Sequence, residues 1–437
     1  MRPHHSLPPR LDAIQHTVAE IAPFRGTRYD PSAVDDLSLV VAPPYDVITE
    51  ADREALEAAS PYNVVRLILG RDEPGDDERS NKYTRARGLL EAWRAAGVLR
   101  EDAGEALYVY EQRYRIGDEE RFQRGVLGAV RLDEPEAGGV LPHERTYEKI
   151  VQDRLQLLRA TETNLDTIFC IYDGQEQGAH DAIERTASTP PVAQFTTEDD
   201  VEHVLWSMTD VLDIGAVGRA LEKAPVVIAD GHHRWQTALQ YRNERRAAEG
   251  LGPWDLQLMF LVDASRWGPS LLPIHRVVGG IDATAALEAM APVVRAEPAP
   301  RGNPERLAQE LAARRARGRS FAMFDHYGAW WLTIADPAAE RAALPAERSA
   351  AWRDLDVSVL HSLVFDKLLG GIKPRFVHSA TEAANEVKSG EATLGFLLAP
   401  MPFDAVRAVA EAGEAMPPKS TFFVPKPATG VVMRALD

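Results

Sequence analysis

VVIADGHHRWQTALQYR, residues 226–242, runs an apolar strand into an amphipathic helix with a single glycine between them. Three apolar residues end at Asp230-Gly231, and Trp235, Ala238 and Leu239 then recur at helical spacing. The first N–H groups of a helix have no internal partner, and the helix dipole adds roughly half a positive charge there. Gly231 lets backbone approach a ligand closely, and Asp230 occupies the N-cap position. His232, His233 and Arg234 add donors around the same spot. Strand, tight turn and donor-rich helix start together predict an anion site, with phosphate as the guest. That reading fails if both imidazoles and the guanidinium are buried against carboxylates with no cavity large enough for a ligand. Metal ligation by Asp230, His232 and His233 is the competing reading. Adjacent histidines on a helix point about 100° apart, however, so both seldom reach one ion; no metal site is assigned.

Strands and helices alternate on both sides of this segment without a regular period, which places the chain in the mixed α/β (α+β) class. Upstream, residues 37–41 and VVRLIL (64–69) read as short buried strands. Thr49 with Asp52 reads as a capping box for a helix over 50–59. Tyr83, Ala86, Leu90 and Trp93 mark another helix, and LYVYEQRYRI and RFQRGVLGAVRL a hairpin about Gly117-Asp118. A helix that turns Leu155 and Leu158 inward leads to the strand TIFCIY (167–172), a helix near 180–186 and the strand HVLWSM. Downstream, DLQLMFLVD is a strand. From about Gly279 the order is helix, helix, strand, strand, helix, with LDVSVLHSLVFDKLL (355–369) the strongest helix, GFLLAP a strand and MPPKSTFFVPKPATG a loop-like end. At ~100–200 residues per domain, 437 residues divide into an N-terminal α+β domain (1–140), a central domain carrying the strand-turn-helix (141–280) and a C-terminal α+β domain (281–437).

Composition narrows the function. Apolar residues make up 45% and charged residues 26%, as in a globular chain with a full core. Lys and Arg number 49 against 66 Asp and Glu, a net charge of −17 that argues against nucleic acid as a partner. The single cysteine, Cys170, lies in an apolar run; it rules out an internal disulfide and a multi-cysteine zinc site. The start, MRPHHSLPPRLDAIQH, lacks an apolar signal core, and no window reaches the ~18 apolar residues of a membrane span. A cytoplasmic location and no membrane association are therefore expected. A homodimer is left open. The P-loop, the dinucleotide-binding glycine pattern and the nucleophile elbow are all missing.

Further candidates flank the turn. His143 and Glu144 stand on a polar loop ahead of a basic helix face, and Glu144 suits the base that takes the proton of an attacking hydroxyl. The same stretch also reads as a solvated helix start. In APPYDVI, Pro43-Pro44 fixes an extended backbone that holds Tyr45 and Asp46 at a strand end as a substrate-binding pair. His275 and Arg276 can reach a phosphate or pair with a carboxylate. His361 reads as a core histidine, and Lys419, Ser420 and Lys426 as donors on a proline-stiffened loop.

ADGHHRWQTALQYR resembles the signature of a prokaryotic family catalogued as domain of unknown function one thousand and fifteen. VVAPPYDVIT, SPYNVVRL, LPHERTYEKIVQDRLQLLRAT, LLPIHRVV, LDVSVLH and MPPKSTFFVPKP carry the resemblance along nearly the whole chain. The family name conveys no activity. The Asp-Gly-His-His-Arg block is also similar to that of the ParB/sulfiredoxin superfamily, in which this strand-turn-helix grips nucleotide phosphates. Its free-serine kinases move a phosphoryl group from ADP or ATP onto serine. The resemblance implies a ParB/sulfiredoxin-like core in which Asp230, Gly231, His232, His233 and Arg234 hold ATP or ADP with Mg2+. His232, His143 and Glu144 are then the catalytic candidates, and Tyr45, Asp46, His275 and Arg276 bind a small hydroxylated metabolite such as L-serine. The catalytic acid of those kinases lies outside the shared block and does not transfer. The sulfiredoxin cysteine is replaced by histidine, which disfavours sulfinate repair. A phosphatase acting on a small ester such as phosphoserine, and a non-catalytic nucleotide-binding regulator, remain the alternatives.

Overall fold

The computed structural model describes residues 19–134, 138–222 and 224–436; the start MRPHHSLPPRLDAIQH lies outside them. The chain forms two compact units. Of the described residues, those within 19–141, 146–267 and 427–436 make up the first, and 142–145 and 268–426 the second.

The first unit is built on a nine-stranded mixed sheet. Its strands are β1 (Ile21–Ala22), β4 (Leu107–Ile116), β5 (Glu119–Arg131), β6 (Val140–Leu141), β8 (Ile168–Tyr172), β9 (Ala193–Thr196), β10 (Glu202–Met208), β11 (Val226–Asp230) and β12 (Leu256–Asp263). Their order is β6-β11-β8-β12-β5-β4-β10-β9, with β1 pairing on β5. The short strands β2 (Thr27–Tyr29) and β3 (Leu99–Glu101) pair with each other, and β7 (Thr163–Asn164) pairs with Arg434–Ala435. The hairpin forms as its alternation predicts: Ile116 faces Glu119 across a two-residue loop in which Gly117 adopts φ 58°. β8 is buried along its whole length and β12 nearly so. Their continuous apolar runs suit strands covered on both faces.

The helices of this unit include α1 (Glu50–Ala59), α2 (Val65–Ile68), α3 (Lys82–Ala95), α4 (Glu148–Thr161), α5 (Gln177–Ala187), α6 (Val211–Leu221) and α7 (His232–Glu249). α4 packs along α7. Trp235, Ala238 and Leu239 of α7 bury against Ile168, Cys170, Ile228, Met259 and Leu261 of the sheet. Each large side chain so buried contributes about 1.5–3 kcal/mol, which fixes the start of α7 to the end of β11.

Two expected strands are helical. Within 64–69, residues 65–68 form α2, because the buried Asn63 accepts the Val65 N–H (2.9 Å) and donates to the carbonyls of Leu39 and Val41 (2.9 Å each), which bends the chain into a turn. Residues 37–39 form one 3-10 turn, whose Ser38 N–H donates to Asp36 (2.9 Å).

The second unit holds a six-stranded antiparallel sheet of His275–Val278, Val294–Pro298, Ser320–Phe324, Ala329–Ile334, Arg375–Val377 and Leu394–Leu397. Helices Pro304–Arg315 and Ala380–Ser389 cover it around Leu311, Ala322, Leu397 and Ala383. Strand Val294–Pro298 leaves no trace in the sequence pattern, because four of its five residues are exposed and give no apolar alternation. Residues 356–368 are helical, as α-helix over Asp356–Val359 and π-helix over Leu360–Leu368. The loop-like end contains a short strand, Phe422–Val424, paired with Ser270–Leu272.

Candidate functional site

At the end of β11 the ladder with β8 shifts register between Ile228 and Asp230, and Gly231 turns the chain at φ 100°, ψ 26°. That left-handed conformation is costly for any residue with a Cβ. Among the described residues no side chain caps α7. The N-cap expected of Asp230 is replaced by an ion pair, in which Arg234 Nη2 donates to Asp230 Oδ2 at 2.6 Å. One turn of helix brings residues 230 and 234 together, and the guanidinium outcompetes the helix amides for the carboxylate.

Arg234 is nine-tenths buried. Its Nη1 donates to the Thr167 carbonyl at 2.5 Å and pairs with Asp166. Burial opposes its charge, but Asp166 and Asp230 outweigh burial and raise its pKa. Arg234 therefore differs from the accessible phosphate donor that the sequence suggested: two carboxylates and a carbonyl hold it as a brace beneath the turn. A Cβ on residue 231 would lie 3.0 Å from Arg234 Nε and 3.1 Å from Nη2, so the glycine also leaves room for the brace. Nε is buried and has no hydrogen-bond partner among the described residues.

The two imidazoles differ. His232 is 4% exposed. His233 is half-buried, and its Nε2 accepts the Tyr147 N–H at 3.0 Å, which leaves Nδ1 to carry the proton of the neutral ring. Burial lowers its pKa, with Asp46 acting in the opposite direction.

Tyr45 and Asp46 are far from the turn in sequence and beside it in space. The Arg154 guanidinium lies over the Tyr45 ring, 4.5 Å from its centroid. Burial pushes the Tyr45 hydroxyl up to about 12, with Arg234 and Arg154 opposing. Asp46 is exposed and near enough to act electrostatically on both His233 and Arg234. A cavity of about 70 Å³ adjoins the brace, lined by Tyr45, Arg154, Asn164, Asp166, Arg234 and Thr237 among others. Ligand pockets run to about 300–1,000 Å³, so this one admits a small polar group and no nucleoside.

The remaining candidates belong to the second unit. His143 is buried, with Nε2 3.4 Å from Thr421 Oγ1 and its carbonyl accepting the Met416 N–H. Glu144 is exposed, and Thr421 Oγ1 donates to its Oε1 at 3.5 Å. His275 and Arg276 are 3% and 1% exposed. Arg276 donates to the Lys419 carbonyl (2.8 Å) and to His361 Nε2 (3.2 Å), and Leu398 N–H donates to His275 Nδ1 (3.3 Å). These groups knit the sheet to its flanking segments. Burial raises the Cys170 thiol, as its place in a strand predicts. Among the described residues no group of three or more His, Cys, Asp or Glu is placed to hold a metal, and no helix is long and apolar enough to cross a membrane.

Sequence reasoning missed Asp166 and Tyr147. Asp166 is one polar residue ahead of a strand, and only its burial against Arg234 distinguishes it. Tyr147 was legible only as part of a solvated helix start.

A family model described as Protein of unknown function (DUF1015) matches residues 21–358. No curated protein matches the chain. Among solved structures, a free serine kinase in complex with AMP is similar at 15% identity and a TM-score of 0.32, over 65% of this chain and 83% of that one. SbnI with C-terminal truncation from Staphylococcus aureus is similar at 10% identity and 0.32, over 69% and 85%. A conserved hypothetical protein from Pyrococcus furiosus is similar at 13% and 0.30, over 65% and 87%.

Proposed function

This chain belongs to the DUF1015 family, and from that premise we propose that it is a phosphotransferase moving a phosphoryl group from ATP or ADP to the hydroxyl of a small metabolite, with free L-serine the first acceptor to try. The observation that carries the reading is the convergence of two distant motifs, Tyr45-Asp46 and Asp230 to Arg234, on the uncapped start of an 18-residue helix. Uncapped first-turn amides and a helix dipole favour an anion.

In this proposal the N–H groups of the first turn and His233 Nδ1–H hold the phosphates, with His232 behind them. Arg234 acts indirectly, bracing the turn through Asp166 and Asp230. Mg2+ would arrive on the nucleotide and neutralise developing charge on its phosphates. The acceptor hydroxyl attacks phosphorus, the bond to the departing nucleotide oxygen breaks, and a carboxylate takes the hydroxyl proton. Asp46, exposed and close enough to His233 to act on it electrostatically, is the candidate carboxylate in the first unit.

The test is to incubate the protein with L-serine, Mg2+ and either ATP or ADP and to measure phosphoserine by mass spectrometry. The proposal predicts nucleotide-dependent phosphoserine. Phosphate release from phosphoserine without nucleotide would instead establish the phosphatase. Nucleotide binding without turnover across a panel of hydroxylated metabolites would leave the regulator.

A further inference from the structure

We propose that the second unit carries an anion site of its own, in which Lys419, Lys426 and His378 hold the phosphoryl group of inorganic phosphate or of a small phosphate monoester, with the buried charge of Arg276 behind them. All of these residues belong to the second unit, and the inference is independent of the turn at Gly231.

Its starting point is a buried charge with no counter-charge. Arg276 is 1% exposed, and among the described residues no carboxylate pairs with it. Its guanidinium donates to the carbonyls of Ile274 and Lys419 and to His361 Nε2, and it lies over the Phe376 ring, 5.2 Å from the centroid. Every one of these partners is neutral. The His361 ring accepts the hydrogen bond and so carries no proton at Nε2; burial, reinforced by Arg276 and Lys373, pushes it down to about 4. Burial lowers Arg276 to about 9, which leaves it charged at neutral pH. A charge taken out of water without an opposite charge nearby is costly, and an anion from solution offsets that cost.

The loop that the sequence marked with Lys419 and Lys426 supplies the accessible donors. Arg276 Nη2 donates to the Lys419 carbonyl at 2.8 Å, so Lys419 stands next to the buried charge. Its φ of 54° is left-handed, a conformation that a residue with a Cβ keeps only where its surroundings hold it; the guanidinium on its carbonyl is one such hold. The Lys419 side chain is exposed. STFFVP separates it from Lys426, yet both lysines act on His378: burial lowers that ring, the two lysines add to the shift, and Glu382 opposes it. The loop therefore turns two ammonium groups toward one exposed imidazole, which also packs 4.8 Å from the Phe422 ring of the same loop. Glu382 is engaged by the His378 N–H at 2.7 Å. In a chain of net charge −17 this excess of positive charge is local.

The donor set selects the ligand. A carboxylate is read best by the planar fork of an arginine, whereas an ammonium is a point charge that suits phosphate. The fork of Arg276 is buried and given over to carbonyls, which leaves ammonium groups and an imidazole at the surface. A tetrahedral dianion meets several separated point charges at once; a planar monoanion brings half the charge. The class is therefore phosphoryl.

The experiment is calorimetric titration at constant ionic strength, with inorganic phosphate, O-phosphoserine and L-aspartate, of the wild-type protein, Lys419→Gln, Lys426→Gln and Lys388→Gln. Lys388 is exposed at the far end of helix Ala380–Ser389 from His378 and controls for general charge. Loss of one charge-assisted hydrogen bond corresponds to roughly ten-fold weaker binding or more. Lys419→Gln and Lys426→Gln are each expected to weaken the phosphoryl ligand by about that factor, with Lys388→Gln like wild type and aspartate bound far more weakly. Tighter binding of phosphoserine than of phosphate would identify an ester as the occupant, and the reverse order the free ion. Wild-type affinity in both loop variants would overturn the site, since phosphate held at the turn of the first unit would persist in them. An equal loss in Lys388→Gln, aspartate bound as tightly as phosphate, or no binding by the wild-type protein would overturn it as well.

Discussion

Gly231 is where conformation and packing meet in one residue. Its φ of 100° and the 3.0 Å that would separate a Cβ at this position from Arg234 Nε both penalise a side chain. Gly231→Ala should cost about 1–3 kcal/mol and lower the melting temperature in calorimetry; an unchanged melting temperature would show that the turn relaxes freely. Asp166→Asn removes a charge from a buried pair and leaves Arg234 to Asp230 alone. Breaking such a pair costs about 3–5 kcal/mol, and denaturant titration should show a loss of that order, against almost none if the Arg234 charge is met elsewhere. The Asp-Gly-His-His-Arg block was legible because strand, glycine and cationic donors are adjacent in the chain. The partners of Arg234 were not: Asp166 lies far upstream in the sequence, and nothing local distinguishes an aspartate that braces an arginine from one that sits in water. The misreading of Asp230 has the same origin, since capping propensity ignores a guanidinium one turn away.

Elements with strong local signals formed where their patterns placed them. The Thr49/Asp52 capping box is complete, with Asp52 N–H donating to Thr49 Oγ1 at 3.2 Å and Thr49 N–H to Asp52 at 2.9 Å, and α1 spans Glu50–Ala59. Thr49→Ala should cost about 1 kcal/mol, read as a lower urea midpoint, whereas Thr49→Ser should cost little; equal midpoints for all three proteins would mean that the cap contributes nothing. The hairpin of β4 and β5 and the buried strand β8 followed equally well from alternation and apolar runs. Residues 64–69 failed because a short apolar run buried on every side looks the same as helix or strand, and the deciding hydrogen bonds of Asn63 reach back more than twenty residues.

At the scale of the whole molecule, acid should weaken both units. Burial lowers His203, in the first unit, and His275, in the second, each from 6.5 to about 4, with Asp199 opposing the shift in His203 and Arg276 reinforcing that in His275. Both rings are held neutral in the folded chain and take up protons more readily when it unfolds. Stability from this source is complete above pH 6.5 and is lost as the pH falls toward 4, by roughly 3 kcal/mol for each ring. Unfolding free energies measured between pH 7 and 4 should fall accordingly, and His203→Gln should flatten the decline; a pH-independent stability over that range would contradict it. Composition had already indicated a globular α/β chain, yet it could not foretell that residues 142–145 and 427–436 each group with a unit formed mainly by another part of the chain. Such exchanges depend on tertiary contacts that no window of sequence contains.

Everything proposed for the turn depends on where a phosphate sits. Diffraction from crystals grown with ATP and Mg2+ should place the nucleotide phosphates on the first-turn amides of α7, within hydrogen-bond reach of His233 Nδ1 and above Gly231. Phosphates bound elsewhere, or a turn left untouched at saturating nucleotide, would contradict it.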